Sequence, residues 1–231
     1  GMNTPGGFGE YIRVPSSWVC HLPKNLTAKE SMAIGTAGLT AGLCITKLKK
    51  LNGINGKNAV VTGATGGVGS FAIKLLKLLG ANVTAITTKL NEERFLKMIG
   101  ADEIISKKEF IISVRKPMGK GIWDIAVDTV GGDILSNLIP SMKYGGVITC
   151  CGNVAGPSFN ATVYPFILRA NHLVGIDSAE TPISIKSEIW NKFASEWYID
   201  DIDNFYKLVS INGIITEIEK ILKLNLKLRK Y

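Results

Sequence analysis

From residue 58 onward the chain alternates short apolar runs with longer amphipathic ones. Ala59-Val60-Val61-Thr62 is a continuous, β-branched run of the kind that forms a strand buried on both faces. A turn carrying Gly63, Gly66, Gly67 and Gly69 follows it, then an apolar helical stretch over 70–79 that Gly80 stops. The alternation continues with a strand over 82–86 and a helix over 92–99, for which Asn91 is the expected N-cap, Glu92 and Glu93 the first turn, and Gly100 the stop. Further strands are predicted at 104–105, 124–128, 146–151 and 173–176, with a helix over 132–142 between the second and third of these. Such β-α alternation predicts an α/β fold built on a doubly wound parallel sheet over 59–177. Ahead of it, 26–48 reads as a helix with a Thr27/Glu30 capping box, and small residues over 35–42 permit close packing or close ligand approach. Residues 6–23 are β-rich and broken by Gly and Pro, like the edge of a small sheet or barrel. After the sheet, helices are predicted over 183–197 and 214–222.

Composition narrows the class. Of 231 residues, 46% are hydrophobic, enough for a sizeable core and against disorder. The formal net charge of +8 comes from 27 Lys and Arg spread along the chain. Their densest cluster, Lys220 to Lys230, is interleaved with Leu and Ile, as on a solvated helix face. Without basic and aromatic residues interleaved, a nucleic-acid partner is not expected; a phosphate-bearing small molecule suits the charge. The cysteines are Cys20, Cys44, Cys150 and Cys151, with no Cys-x-x-Cys pair to suggest a structural zinc site. A reduced, cytoplasmic protein is expected, with neither a signal peptide nor an apolar run of membrane-spanning length. Gly1 before Met2 reads as a cloning scar.

The strand, glycine turn and helix at 59–79 form the context that a dinucleotide fingerprint requires. Glycines let the backbone approach a pyrophosphate, and the helix N-terminus offers unpaired N–H groups and a positive dipole end. At the end of the second strand an NAD site usually carries an acid, which takes the ribose 2′-hydroxyl. Here Thr87-Thr88-Lys89 stand in that place, and the next acid is Glu92. Two hydroxyls and a cation suit a 2′-phosphate, and Arg94 could add a second cation, so NADP is favoured over NAD. Residues 62–69 also fit the Thr-Gly-x-x-x-Gly-x-Gly pattern of short-chain dehydrogenases. No tyrosine, however, has the lysine four places on that their acid catalysis needs. A P-loop is excluded because no Gly-Lys-Ser/Thr triplet closes the turn.

Several motifs then occur in one order: Gly-Gly-Phe-Gly-Glu-Tyr at 6–11, Ile-Gly-Thr-Ala-Gly-Leu-Thr-Ala at 34–41, Val-Thr-Gly-Ala-Thr-Gly-Gly-Val-Gly at 61–69, Asp-Thr-Val-Gly at 128–131, Pro-Phe-Ile-Leu-Arg at 165–169 and Gly-Ile-Asp-Ser at 175–178. With them, nearly the whole chain resembles the acryloyl-CoA reductase branch of the quinone oxidoreductase-like medium-chain dehydrogenases. The resemblance implies a Rossmann domain and a zinc-free, NADPH-dependent reductase acting on an activated double bond of a small enoyl-thioester or quinone-like molecule. Carried over by motif, Thr65, Gly66, Gly67 and Val68 would hold the pyrophosphate, and Thr87, Thr88 and Lys89 the 2′-phosphate. Thr129 and Val130 would lie near the nicotinamide ribose, with Cys151 and Gly152 ending the next strand. Backbone groups of Phe166, Ile167 and Leu168 would bind the carboxamide beside Arg169, and Thr40 would touch the nicotinamide end. For Cys151, Phe166 and Thr40 core packing is the alternative. His21 and His172 receive no role, and no catalytic side chain is assigned.

The resemblance also implies departures. Family members open with a GroES-like barrel that builds most of the substrate pocket, and this sequence starts near that barrel's end. Residues 1–30 are therefore expected to be a remnant of it, 31–178 the NADP-binding domain, and 179–231 the last helices with the rest of the substrate domain. Leu228 stands where the family has a glycine before Arg229. Two functions follow: a reductase impaired by loss of the barrel, or an inactive NADPH-binding fragment that self-associates. A homo-oligomer without nucleic-acid or membrane partners is expected.

Overall fold

The computed structural model describes residues 4, 6–7, 9–113 and 118–228. The expectations that touch Gly1, Met2, Phe8 and Arg229 lie outside them. Six strands, β1 (Asn58–Thr62), β2 (Asn82–Thr87), β3 (Glu103–Ser106), β4 (Trp123–Asp128), β5 (Met142–Cys150) and β6 (His172–Gly175), form one all-parallel sheet in the order β3-β2-β1-β4-β5-β6. The order reverses between β1 and β4, where Ala59, Val60 and Val61 pair with Ile125, Ala126 and Val127. In open α/β sheets such a reversal is where strand-end loops part and ligands bind outside the carboxyl ends of the strands.

Period-two alternation sorts the strand side chains between two cores. Ala59, Val61, Ile125, Val127 and Val147 point into one cluster, and Val60, Ala126 and Ile148 into the other. The first is covered by α1 (Ala28–Asn52), α2 (Gly67–Leu78), α3 (Glu93–Met98) and α7 (Ile183–Phe193), and the second by α4 (Lys107–Ser113), α5 (Gly132–Leu138) and α6 (Tyr164–Arg169). The last helix, α8 (Ile214–Leu228), follows a loop with two 3-10 turns, Ile202–Asn204 and Ile211–Gly213. The doubly wound α/β architecture expected from the sequence is thus present.

The capping box forms as predicted: Thr27 Oγ1 accepts the Glu30 N–H at 3.2 Å and Glu30 accepts the Thr27 N–H at 2.7 Å. Small residues in α1 allow two close approaches. A Cβ on Gly42 would stand 2.5 Å from Ile189 Cγ2 in α7, and one on Gly67 would stand 3.0 Å from the Ala37 Cβ. Replacing these glycines would push apart α1 and the elements that shape the glycine turn.

Several elements differ from expectation. Residues 9–27 carry no strand, only a 3-10 turn at Ser16–Trp18, and Tyr11 and Trp18 are exposed. A strand needs a partner for its N–H and C=O groups, and the described residues provide none here. α1 is interrupted at Gly35 (φ 48°, ψ −155°), a left-handed step that glycine takes without penalty. It is also long and apolar enough to span a membrane, contrary to the expectation of no such run, but it packs between the sheet, α2 and α7. The helix expected over 132–142 ends at Leu138 because Pro140 has no N–H to donate; a 3-10 turn over Ile139–Ser141 leads directly into β5. α3 is preceded by Glu92, and Asn91 lies in a 3-10 turn instead of capping it. The helix expected over 183–197 stops at Phe193, where the Trp197 N–H turns back to the Lys192 carbonyl at 2.8 Å.

Candidate cofactor site

Three strand-end loops converge at the carboxyl edge of the sheet. The first leaves β1 through Gly63, whose φ of +61° lies in the left-handed region. Its carbonyl accepts the Gly66 N–H at 2.9 Å, so the chain doubles back tightly before α2 begins. Gly66 is the N-cap and brings no side-chain acceptor, which leaves the first-turn N–H groups of this twelve-residue helix open to an outside anion. A Cβ on Gly69 would stand 2.4 Å from the Gly63 carbonyl oxygen, so only glycine permits this turn. Gly66 and Gly67 are exposed, and Thr65 and Val68 half-buried, on the rim of the cradle.

The second loop, Thr129–Gly131, ends β4 and meets the first at atomic contact: a Cβ on Gly63 would fall 2.2 Å from Thr129 Oγ1 and 3.0 Å from Val130 Cγ2. Thr129 Oγ1 donates to the Thr62 carbonyl at 2.9 Å and the Thr129 N–H donates to Thr62 Oγ1 at 3.1 Å. The third loop leaves β5 at Cys151-Gly152, where a Cβ on Gly152 would stand 2.0 Å from the Thr129 carbonyl oxygen. Thr65 to Val68, Thr129, Val130, Cys151 and Gly152 are therefore brought to one crevice.

Thr87, Thr88 and Lys89 sit one strand over. β2 pairs with β1 through Thr62 and Ile86, which sets Thr87 at the same edge as Gly63. Thr87 is buried and its Oγ1 accepts the Lys89 N–H at 3.0 Å, curling the chain so that Thr88 and Lys89 are exposed. Among the described residues neither Lys89 nor the exposed Arg94 makes an ion pair. A cleft of about 590 Å³ opens beside Thr88, lined also by Leu90, Ser106, Lys107, Lys108, Ile111 and Ile112. Sequence reasoning passed over Lys107 and Lys108. They directly follow β3, as Lys89 follows β2, and the rule that ligands gather at strand carboxyl ends would have picked them out.

Other predicted positions are held differently. Thr40 is buried in α1 and its hydroxyl donates to the Thr36 carbonyl at 2.7 Å. Cys151 packs against the first core and its thiol faces the Asp128 carbonyl at 3.5 Å. Phe166 packs against the second core. The N–H groups of Phe166 and Ile167 both donate to the Val163 carbonyl within α6, while Ile167 and Leu168 expose their side chains. Arg169, expected beside the carboxamide, turns its guanidinium onto the carbonyls of Pro140, Met142 and Gly119. It clamps α6 to the start of β5.

The electrostatics of the crevice centre on Asp128, fully buried at the end of β4. Burial pushes its carboxyl above the ordinary range, against the Thr62 hydroxyl and the Gly131 and Val130 N–H groups that favour the charged form. Cys150 is pushed up to about 11 by burial and by the neighbouring Asp128 carboxylate, so it is a protonated thiol at neutral pH.

Residues 67–195 match the sequence profile of the zinc-binding dehydrogenases. The chain belongs to this family, within the medium-chain dehydrogenase/reductase superfamily. The chain is 40% identical over 203 residues to YhfP of Bacillus subtilis strain 168, named as a quinone oxidoreductase, a match covering 87% of this chain and 62% of that protein. It is 34% identical over 210 residues to the acrylyl-CoA reductase AcuI of Ruegeria pomeroyi, covering 90% and 64%. Among solved structures, the yhdH oxidoreductase of Salmonella enterica in complex with NADP superposes with a TM-score of 0.89 at 35% identity, covering 95% of this chain and 68% of that one. Bacillus subtilis yhfP with NAD bound gives 0.90 at 38% identity, covering 94% and 67%. The chain thus spans a little under two thirds of the length of the curated relatives it matches. Although the family is named for zinc, the described residues include no group of three or more His, Cys, Asp or Glu side chains placed to hold a metal.

Proposed function

We propose that this family member binds NADPH in the crevice between β1 and β4 and serves the reduction of an activated C=C bond in an enoyl thioester or quinone-like acceptor. One observation carries the reading: at the point where strand order reverses, a glycine turn with open helix N–H groups lies in contact with the Thr129 loop. In that reading the N–H groups from Gly66 to Val68, with Thr65, take the pyrophosphate. Thr87, Thr88 and Lys89 take the 2′-phosphate, with Arg94 as a further cation, and Lys107 and Lys108 border the same cleft. Thr129, Val130 and Gly152 position the nicotinamide end, with Thr40, Cys151 and the Phe166–Leu168 backbone behind it. Bound there, NADPH would supply the hydride for reduction of the acceptor's C=C bond, with the accompanying proton coming from solvent. The chain's own contribution is to hold the cofactor and fix which nicotinamide face is presented. The four cysteines are free thiols, which fits a reducing, cytoplasmic setting, and the acceptor is a small molecule rather than nucleic acid or a membrane.

A second reading is favoured by the edge strand β6, which bonds only to β5 among the described residues. In it the polypeptide is an NADPH-binding module that turns over poorly and self-associates, with residues 1–30 and 179–231 as parts of a substrate domain around the central 31–178. Titration with NADPH and NADH, followed by NADPH oxidation with acryloyl-CoA, separates the two. Tight NADPH binding with robust oxidation selects the reductase, and binding without oxidation selects the module. Absence of NADPH binding removes both.

A further inference from the structure

Asp128 joins three of the elements that form the crevice. Its Oδ1 accepts from Thr62 Oγ1 at 2.6 Å and from the Val130 N–H at 3.4 Å; its Oδ2 accepts from the Gly131 N–H at 3.0 Å and faces the Cys150 thiol at 3.6 Å. Thr62 Oγ1, having donated its proton to Asp128, accepts the Thr129 N–H at 3.1 Å, and Thr129 Oγ1 donates to the Thr62 carbonyl at 2.9 Å. The Val130 and Gly131 N–H groups can only donate, and the Thr62 hydroxyl, whose oxygen already accepts the Thr129 N–H, donates as well, so all of these bonds to Asp128 run toward the carboxylate. The carboxylate ties the last residue of β1, the loop after β4 and the end of β5.

We propose that Asp128 is a positioning residue that sets the gap between the glycine turn and the Thr129–Gly131 loop, and with it the seat of the nicotinamide half of the cofactor. This rests on the cofactor site proposed above. Gly63 meets Thr129 Oγ1 with no room to spare, so an outward shift of the Thr129 loop changes the crevice width directly. The Thr87–Lys89 end hangs from β2 and has no bond to Asp128, so the adenosine end of the ligand should be insensitive to the same change.

Asp128→Asn keeps the size of the side chain but turns an N–H₂ group toward a donor, leaving a buried pair unmatched. NADPH and 2′,5′-ADP, which carries only the adenosine end, are titrated against the wild-type chain and the variant. The expected result is an NADPH affinity lowered about tenfold with 2′,5′-ADP binding unchanged. Equal loss of both ligands would show a general structural role and overturn the proposal, as would wild-type binding of both. If the wild-type chain binds neither ligand, it is the cofactor site itself that fails. Should Asp128→Asn not fold, Thr62→Val and Thr62→Ser decide. Valine removes the hydroxyl and should reproduce the selective NADPH loss, while serine keeps it and should bind as wild type. If these two variants bind alike, the proposal is wrong.

Discussion

Gly63 and Thr129 touch across the seam between β1 and β4. A Cβ at position 63 would lie 2.2 Å from Thr129 Oγ1, and the backbone there holds φ at +61°. Gly63→Ala therefore meets two penalties, a left-handed conformation costing about 1–2 kcal/mol and a steric clash with the neighbouring loop. The expected outcome is a lower Tm together with weakened NADPH binding. Thr129→Ala in the same chain should restore part of the loss by removing Oγ1, though Val130 Cγ2 remains at 3.0 Å. A double-mutant cycle measures that coupling; strictly additive effects would show that the two loops do not constrain each other.

Lys89 is exposed at the end of β2 with no ion-pair partner among the described residues. Lys89→Ala should weaken NADPH by about 1.5–3 kcal/mol, the worth of one charge-assisted contact, and leave NADH nearly unchanged. Lys107→Ala tests a cation that lines the cleft beside Thr88 and should act in the same direction with a smaller effect. Isothermal titration with both nucleotides reads each variant, and an equal loss for NADH and NADPH would remove the 2′-phosphate assignment.

The sheet was legible because its signals are local. Each strand is a short apolar run, and Gly80 and Gly100 end their helices with φ of 82° and 113°, where other residues are strained. The glycine turn was legible for the same reason. What depended on distant partners was not. The 9–27 segment has strand-like composition but finds no ladder, and the fate of Arg169 is decided by three carbonyls 27 to 50 residues away. Asp128 stood inside a recognised motif, yet its function as a tie appears only when Thr62, 66 positions earlier, is seen against it. The place of Lys107 and Lys108 on the cleft shows only once β3 stands beside β2.

Asp102 shows how the start of β2, the end opposite Thr87, is braced. Its Oδ1 pairs with Lys77 of α2 and its Oδ2 accepts the Val83 N–H at 2.8 Å. Burial pushes the carboxyl up, but Lys77 and the Val83 N–H outweigh it and hold the group below the ordinary range. The sign follows: this stabilisation is present above the usual carboxylate value and drains away as pH falls through the lowered one. The pair is partly solvent-exposed, so Asp102→Asn should cost only about 1 kcal/mol at pH 7 and flatten the acid side of the stability curve. Urea denaturation at pH 3 to 7 measures both, and parallel curves for the two proteins would contradict the assignment.

Cys150 offers a titration that reads the same crevice from β5. Raised from 9.0 to about 11, it carries about 1% thiolate at pH 9. Iodoacetamide should therefore label Cys20 well before Cys150 between pH 7 and 9, as followed by peptide mass spectrometry. The associated stabilisation is complete below pH 9 and is lost as pH rises toward 11. Asp128→Asn should speed Cys150 labelling, because the adjacent carboxylate that disfavours the thiolate is gone; unchanged labelling would mean that burial alone governs this thiol.

The last test concerns the edge of the sheet. β6 bonds only to β5 among the described residues, and the segment just before it exposes Val163, Tyr164, Ile167 and Leu168. A parallel sheet leaves such an edge as a row of unpaired N–H and C=O groups, and neighbouring apolar side chains add a reason for a second copy to cover it. Sedimentation should show a dimer or larger species at micromolar concentration. Ile167→Lys with Leu168→Lys should shift it toward monomer while leaving 2′,5′-ADP binding intact, since that end of the ligand lies across the sheet at β2. A wild-type chain that is monomeric throughout would refute self-association, and a double variant that stays associated would move the interface elsewhere, toward exposed residues such as Ile215 and Ile218 of α8.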